Sequence, residues 1–154
     1  MFTRGFMLDT SAINRVHDWH ECPWSLRGPL YVTDIQLQEI SRTRNPERRA
    51  SLLAAFMSLR PTVVRPRGRI FDPEFFGFTE FFDGGFTLDD EDYSLSIGRV
   101  MPLIARSIGS RVEKHFPDAL IAEAALTSNL TLVTADRRLA KVGRSFGAHV
   151  EEIP

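Results

Sequence analysis

Pro117-Asp118-Ala119-Leu120-Ile121-Ala122-Glu123-Ala124-Ala125-Leu126 runs on to Leu130-Thr131-Leu132-Val133-Thr134-Ala135-Asp136, and this stretch decides the fold. Its first part is small and apolar nearly all round, which predicts a deeply packed helix. Pro117 suits the first helical position, where its missing N–H costs nothing. Asp118 then falls in the first turn, and Glu123, roughly 140° further round, reads as solvated or paired. The second part is a short apolar run ending on a polar turn, the pattern of a buried strand.

The same reading extends outward. Phe6-Met7-Leu8 is a strand feeding Asp9-Thr10-Ser11, and Ala12 to Trp19 is a short helix capped by Ser11 or Thr10. Leu30-Tyr31-Val32 is a second strand. Thr33 with Gln36 three residues on has the spacing of a capping box. Asn45-Pro46 opens a helix from Glu47 to Leu59, with Leu52, Leu53, Phe56 and Met57 inward. Pro61 to Val64 is a third strand, Tyr93 to Ile108 a helix interrupted near Pro102, Arg138 to Val142 a short helix, and Gly147 to Val150 a last strand. Strand and helix alternate, so the expected class is α/β with a mostly parallel sheet.

The 154 residues are one domain's worth, and the 43% apolar and 25% charged composition is that of a soluble globular chain. No apolar run approaches the ~20 residues of a membrane span. The N-terminus lacks a signal-peptide layout, and the lone Cys22 excludes an intrachain disulfide or a cysteine zinc site, so a cytoplasmic setting is expected. The net charge of −1 argues against gross electrostatic binding of nucleic acid. All but two of the 19 basic residues are arginine, however, and Arg42, Arg44, Arg48, Arg49, Arg60, Arg65, Arg67 and Arg69 crowd one stretch. They form either a rim for an RNA backbone or a solvated face.

Ligands of an open parallel sheet gather beyond the carboxyl ends of the strands. Asp9 and Asp136 follow two such ends, Asp118 starts its helix, and Glu39 lies in the second turn of the helix after the second strand. Four carboxylates converging there raise one another's pKa unless a cation neutralises them. Oxygen-only ligands suit Mg²⁺ or Mn²⁺ rather than Zn²⁺. Such a metal activates water and stabilises charge in phosphodiester hydrolysis. The plainer reading is that Asp9 and Asp118 serve only as helix-terminal acids. Glu39 has the loosest context, and Asp34 competes with it but sits where capping explains it. His17 and His20 near Cys22 invite a zinc reading, against which stands the want of four good ligands.

Met7-Leu8-Asp9-Thr10-Ser11-Ala12, Glu39 within Leu37-Gln38-Glu39-Ile40, Asp118 to Ala125, and Thr131-Leu132-Val133-Thr134-Ala135-Asp136 together resemble the PIN-domain nucleases, especially VapC-type toxin ribonucleases. The resemblance covers about residues 5 to 64 and 93 to 150. It implies a single domain over 1–154 with a three-layer α/β/α fold and metal-dependent cleavage of single-stranded or loop RNA. It implies Asp9, Glu39, Asp118 and Asp136 as the catalytic, metal-binding acids, and Ser11 and Thr134 as supporting hydroxyls. It also implies an antitoxin partner and a homodimer.

The sequence departs from the family in its middle. Seven of the 12 phenylalanines fall within residues 66–90, a segment suited to docking a partner or a second copy, to filling a small core, or to stacking single-stranded bases, the last being the least favoured because phenylalanine in such density is mostly buried. The alternatives in function are a PIN-like module that binds RNA or protein without cutting, and a DNA-directed flap nuclease.

Overall fold

A computed structural model describes residues 4–64, 104–109 and 112–154. The Phe-rich segment 66–90, the expected helical residues 93–103 and Arg65, Arg67 and Arg69 lie outside them. In chain order come β1 (Phe6–Leu8), α1 (Thr10–Trp19), a 3₁₀ turn (Pro23–Leu26), β2 (Leu30–Val32), α2 (Asp34–Ser41), α3 (Pro46–Leu59) and β3 (Thr62–Val63). A helical stretch at 104–108 follows, then α4 (Val112–Thr127), β4 (Thr131–Thr134), α5 (Arg137–Ser145) and β5 (His149–Glu152).

Among the described residues five strands pair in parallel throughout, in the order β3-β2-β1-β4-β5. The chain winds outward from β1 through β2 to β3, then returns to the other side of β1 for β4 and β5. The order therefore reverses between β1 and β4, where such a sheet leaves a crevice at the carboxyl ends of its strands. Parallel strands need long crossovers, and these cover both faces. Alternation along the strands divides the core accordingly. Met7 and Leu132 face one side, with Phe116, Ile121 and Leu139 of α4 and α5. Phe6, Leu8, Val32 and Val133 face the other, with Ile13, Ile40, Leu52 and Phe56 of α1 to α3. The result is the three-layer α/β/α architecture expected from the sequence.

Local chemistry accounts for most element ends, and it corrects several expectations. The cap of α1 is Asp9, rather than Ser11 or Thr10: the strand stops at Leu8, and the extended Asp9 accepts the Ala12 amide at 2.7 Å. Such a cap contributes about 1 kcal/mol. The capping box of α2 is complete, with Gln36 accepting the Thr33 amide at 2.8 Å. The Gln36 amide nitrogen then donates to the Leu8 carbonyl at 2.9 Å, which ties α2 to the end of β1. In α3 Leu52 and Phe56 are buried, but Met57 is 68% exposed, because one further residue turns it about 100° away from Phe56.

Pro117 does not open its helix. α4 begins at Val112, and Pro117 lies inside it. The expected boundary rested on where proline is cheapest, yet a proline interior to a helix is tolerated where packing outweighs one lost hydrogen bond. Here Phe116, Ala119 and Leu120 around it are buried in the core. The last strand runs from His149 to Glu152, two residues later than expected, after α5 extends to Ser145 and Gly147 turns the chain at φ +85°. That backbone region is the one glycine adopts without a Cβ penalty. No helix among the described residues is long and apolar enough to cross a membrane.

Candidate functional site

Asp9 and Asp136 stand at the carboxyl ends of β1 and β4, the two strands that flank the switch point. Asp9 is buried, at 2% exposure. Its Oδ1 accepts the Ser11 hydroxyl at 2.6 Å and the Ala12 amide at 2.7 Å, and its Oδ2 accepts the Thr134 hydroxyl at 2.5 Å. Each hydroxyl also reaches the second loop. Ser11 Oγ accepts the Ala135 amide at 2.9 Å, and Thr134 Oγ1 accepts the Asp136 amide at 3.0 Å. Two short polar sequences 125 residues apart are thus laced together around one carboxylate. Asp136 caps α5, its Oδ1 accepting the amides of Arg138 at 2.8 Å and Leu139 at 3.2 Å.

Glu39 reaches the same edge from α2, where its Oε2 accepts the Thr10 hydroxyl. Thr10 was missed as a site residue because, read locally, it is only a helix-start hydroxyl. Its carbonyl in turn accepts the Asn14 side-chain amide at 2.9 Å. Asp118 projects from α4, seven residues into the helix rather than in its first turn. The helix dipole acts mainly within the first turn, so it no longer explains Asp118.

The electrostatics join these groups. Burial raises the pKa of Asp9, the bonds from Ser11, Thr134 and Ala12 hold it down, and Asp136 raises it again. Burial raises Glu39 too, with Thr10 and Arg42 opposing and Asp9 adding. Asp118 is pushed up to about 7, first by burial and then by the charges of Glu39, Asp9 and Asp136. Among the described residues no hydrogen bond offsets that. The peripheral acids Asp18, Glu151 and Glu152 each pair with an arginine. Among the described residues none of the four inner acids forms an ion pair.

A hard divalent cation fits this donor set in kind and sign: carboxylates and hydroxyls, with no thiol or imidazole among them. The second oxygens of Glu39 and Asp136 and both of Asp118 accept no hydrogen bond from a described residue. Among the described residues, however, no three His, Cys, Asp or Glu side chains are drawn together as a ready metal cage. Binding would therefore require Asp118 and the open oxygens of Glu39 and Asp136 to turn toward Asp9, which keeps its present partners.

Two other groups differ from their expected roles. Glu123 is not solvated, and among the described residues it is not paired. It is fully buried, and its two carboxyl oxygens have no hydrogen-bond partner among the described residues. Burial alone raises its pKa to about 8. His17, considered for zinc, instead contacts Asp18 at 3.0 Å and Ser51 at 2.6 Å. That is the order of a nucleophile, a base and an orienter. Ser51 lies inside α3, though, where backbone amides are consumed by the helix and none is left to hold an oxyanion.

Fold and site together define an open parallel α/β domain with an acidic crevice at its switch point. No protein-family model matches the chain, and no curated protein matches it. Among solved structures it is similar to a domain of a functionally unknown protein from Methanocaldococcus jannaschii DSM 2661. The identity is 12% and the TM-score 0.51, over 98% of this chain and 91% of that one. A likeness at that identity concerns the fold alone.

Proposed function

We propose that the chain is a metal-dependent endoribonuclease of the PIN type, cutting single-stranded or loop RNA in the cytoplasm, in the setting of a toxin held by an antitoxin. One observation carries this reading. Four carboxyl groups from β1, α2, α4 and β4 converge on the switch-point edge, with none of them in an ion pair among the described residues. Four acids without a cation are costly to hold together, and a divalent metal offsets that cost.

Asp9, Asp118 and Asp136 would hold Mg²⁺ or Mn²⁺, with Glu39 completing the set or accepting a proton from the attacking water. When bound, such an ion polarises the phosphoryl oxygens and lowers the pKa of water. The chain's own contribution is orientation. Ser11 and Thr134 lock Asp9 in one rotamer and couple it to the loop that carries Asp136. Thr10 holds Glu39 beside them.

The second reading is a module that binds RNA or protein without cutting. It draws on the spacing of the acids, which do not form a ready cage among the described residues. Incubating a mixed single-stranded RNA pool with Mg²⁺, Mn²⁺ or EDTA separates the two. We expect cleavage that EDTA abolishes and that Asp9→Asn loses while keeping its circular dichroism. Full activity in Asp9→Asn, or no cleavage with either metal, overturns the nuclease reading. Single-stranded DNA and a flap duplex in the same assay test the DNA-directed alternative.

A further inference from the structure

A groove of about 590 Å³ opens at the same edge of the sheet, lined by Arg15, Ala135, Arg137, Glu152, Ile153 and Pro154. Its position follows from the chain path. Ala135 and Arg137 bracket Asp136, and Arg15 lies one helical turn beyond Ser11, on the same face of α1. The groove therefore begins where the acidic crevice ends, on the side of β5.

Its charge is opposite to that of the crevice. The Arg15 Nε donates to the Pro154 carbonyl at 2.8 Å, which steadies the guanidinium. Its two terminal nitrogens make no hydrogen bond among the described residues. The Arg137 side chain is 92% exposed and meets Glu152 only at 3.8 Å. Glu152 is already shared with Arg144, outside the groove, at 3.2 Å, so within the lining one side-chain carboxylate stands against two guanidinium groups. Among the described residues the lining includes no aromatic ring for stacking a base and no side-chain amide for reading a base edge. Arginine forks with open donors fit phosphate oxygens, and phosphate contacts position a strand without reading its sequence.

We propose that this groove is a phosphodiester-binding subsite, in which Arg15 and Arg137 grip the backbone of single-stranded RNA next to the bond held over the acids. The inference rests on the nuclease reading and names two positioning residues for it. It places the substrate track along α1 and α5 rather than along the arginines after Glu39. Of those, Arg48 is engaged with Asn14 and Asp18, and Arg49 with the Thr43 carbonyl.

The test uses the full chain and a labelled single-stranded RNA, once for binding in EDTA and once for cleavage with Mg²⁺. We expect Arg15→Ala/Arg137→Ala to weaken binding by ~10-fold, equally on adenine-rich and uracil-rich RNA. The slope of log affinity against log salt falls by about 0.7 for each lost phosphate contact. KM rises by a similar factor, while kcat stays within about twofold. Both side chains are exposed, so the melting temperature holds. A wild type that cleaves, with a double variant unchanged in binding and KM, overturns the subsite and leaves the nuclease standing. Arginine-dependent binding without cleavage upholds the subsite and overturns the nuclease. A wild type that neither binds nor cuts overturns both.

Discussion

Asp9 and Glu123 are both buried carboxyl groups, one at the end of β1 and the other in the middle of α4, and they are treated in opposite ways. Asp9 is surrounded by donors: two hydroxyls and an amide fill its oxygens. Glu123 has no hydrogen-bond partner among the described residues and sits on a helix whose neighbouring residues are buried apolar ones. Burial raises both, but only at Asp9 do hydrogen bonds to the charged form oppose it. A carboxylate supplied with donors can hold its charge and its rotamer, whereas one without them keeps its proton. The first arrangement suits a site, and the second carries a stability cost that grows with pH.

The largest expected effect lies on the Asp9 side. Asp9→Asn keeps shape and volume but removes the charge that Ser11 and Thr134 are arranged to hold. Metal-dependent cleavage should fall by ~100-fold or more, measured as kcat/KM on single-stranded RNA. An equal loss in Glu123→Gln would break the comparison, since Glu123 has no described link to the acids.

The next effect is the pH dependence of stability. The folded pKa of Glu123 is raised to about 8 from 4.5, so the folded state binds more protons than the unfolded chain between those values. Stability is therefore full below about pH 4.5 and falls as pH rises through about 8. The cost is of order 5 kcal/mol if the group stays buried. Asp9, Glu39 and Asp118 shift in the same direction, so the measurement is a difference: urea melts of wild type and Glu123→Gln from pH 5 to 9. The wild type should fall faster than the variant from pH 5 to about pH 8, and the two should run parallel above that. Parallel curves between pH 5 and 8 would show that Glu123 finds a partner or water.

A smaller effect sharpens the role of the donors. Thr134→Val removes the hydroxyl that bridges Asp9 and the Asp136 amide. Mg²⁺ affinity, read by the metal-induced rise in melting temperature, should drop ~10- to 100-fold with the fold retained. The smallest is a control on α3, where Met57→Lys changes stability by less than about 0.5 kcal/mol, because the side chain is exposed.

Much of the fold was readable from local patterns. Strand runs such as Phe6 to Leu8 and the Thr33–Gln36 box are short-range signals, and they appear where expected. Pro117 departed from expectation because the cost of an interior proline is set by what packs against the helix, and Met57 because the helix turns it about 100° away from Phe56. Asp9 and Asp136 could be placed from sequence because a parallel sheet puts the ends of its strands on one edge. Their lacing through Ser11 and Thr134 could not be derived from local spacing, since it joins loops 125 residues apart.

By itself, then, the sequence determined the alternation of strand and helix, hence a parallel sheet, hence the edge at which the acids stand. Periodicity and turn chemistry act over a few residues, and the rule that parallel strands need crossovers does the rest. Only the tertiary structure decided which groups lose water and which recover partners. Asp9 regains its hydrogen bonds across the switch point, Glu123 does not among the described residues, and Arg15 meets Arg137 in a groove that neither local sequence encodes. Desolvation depends on every element packed around a group, so no window of the chain contains it.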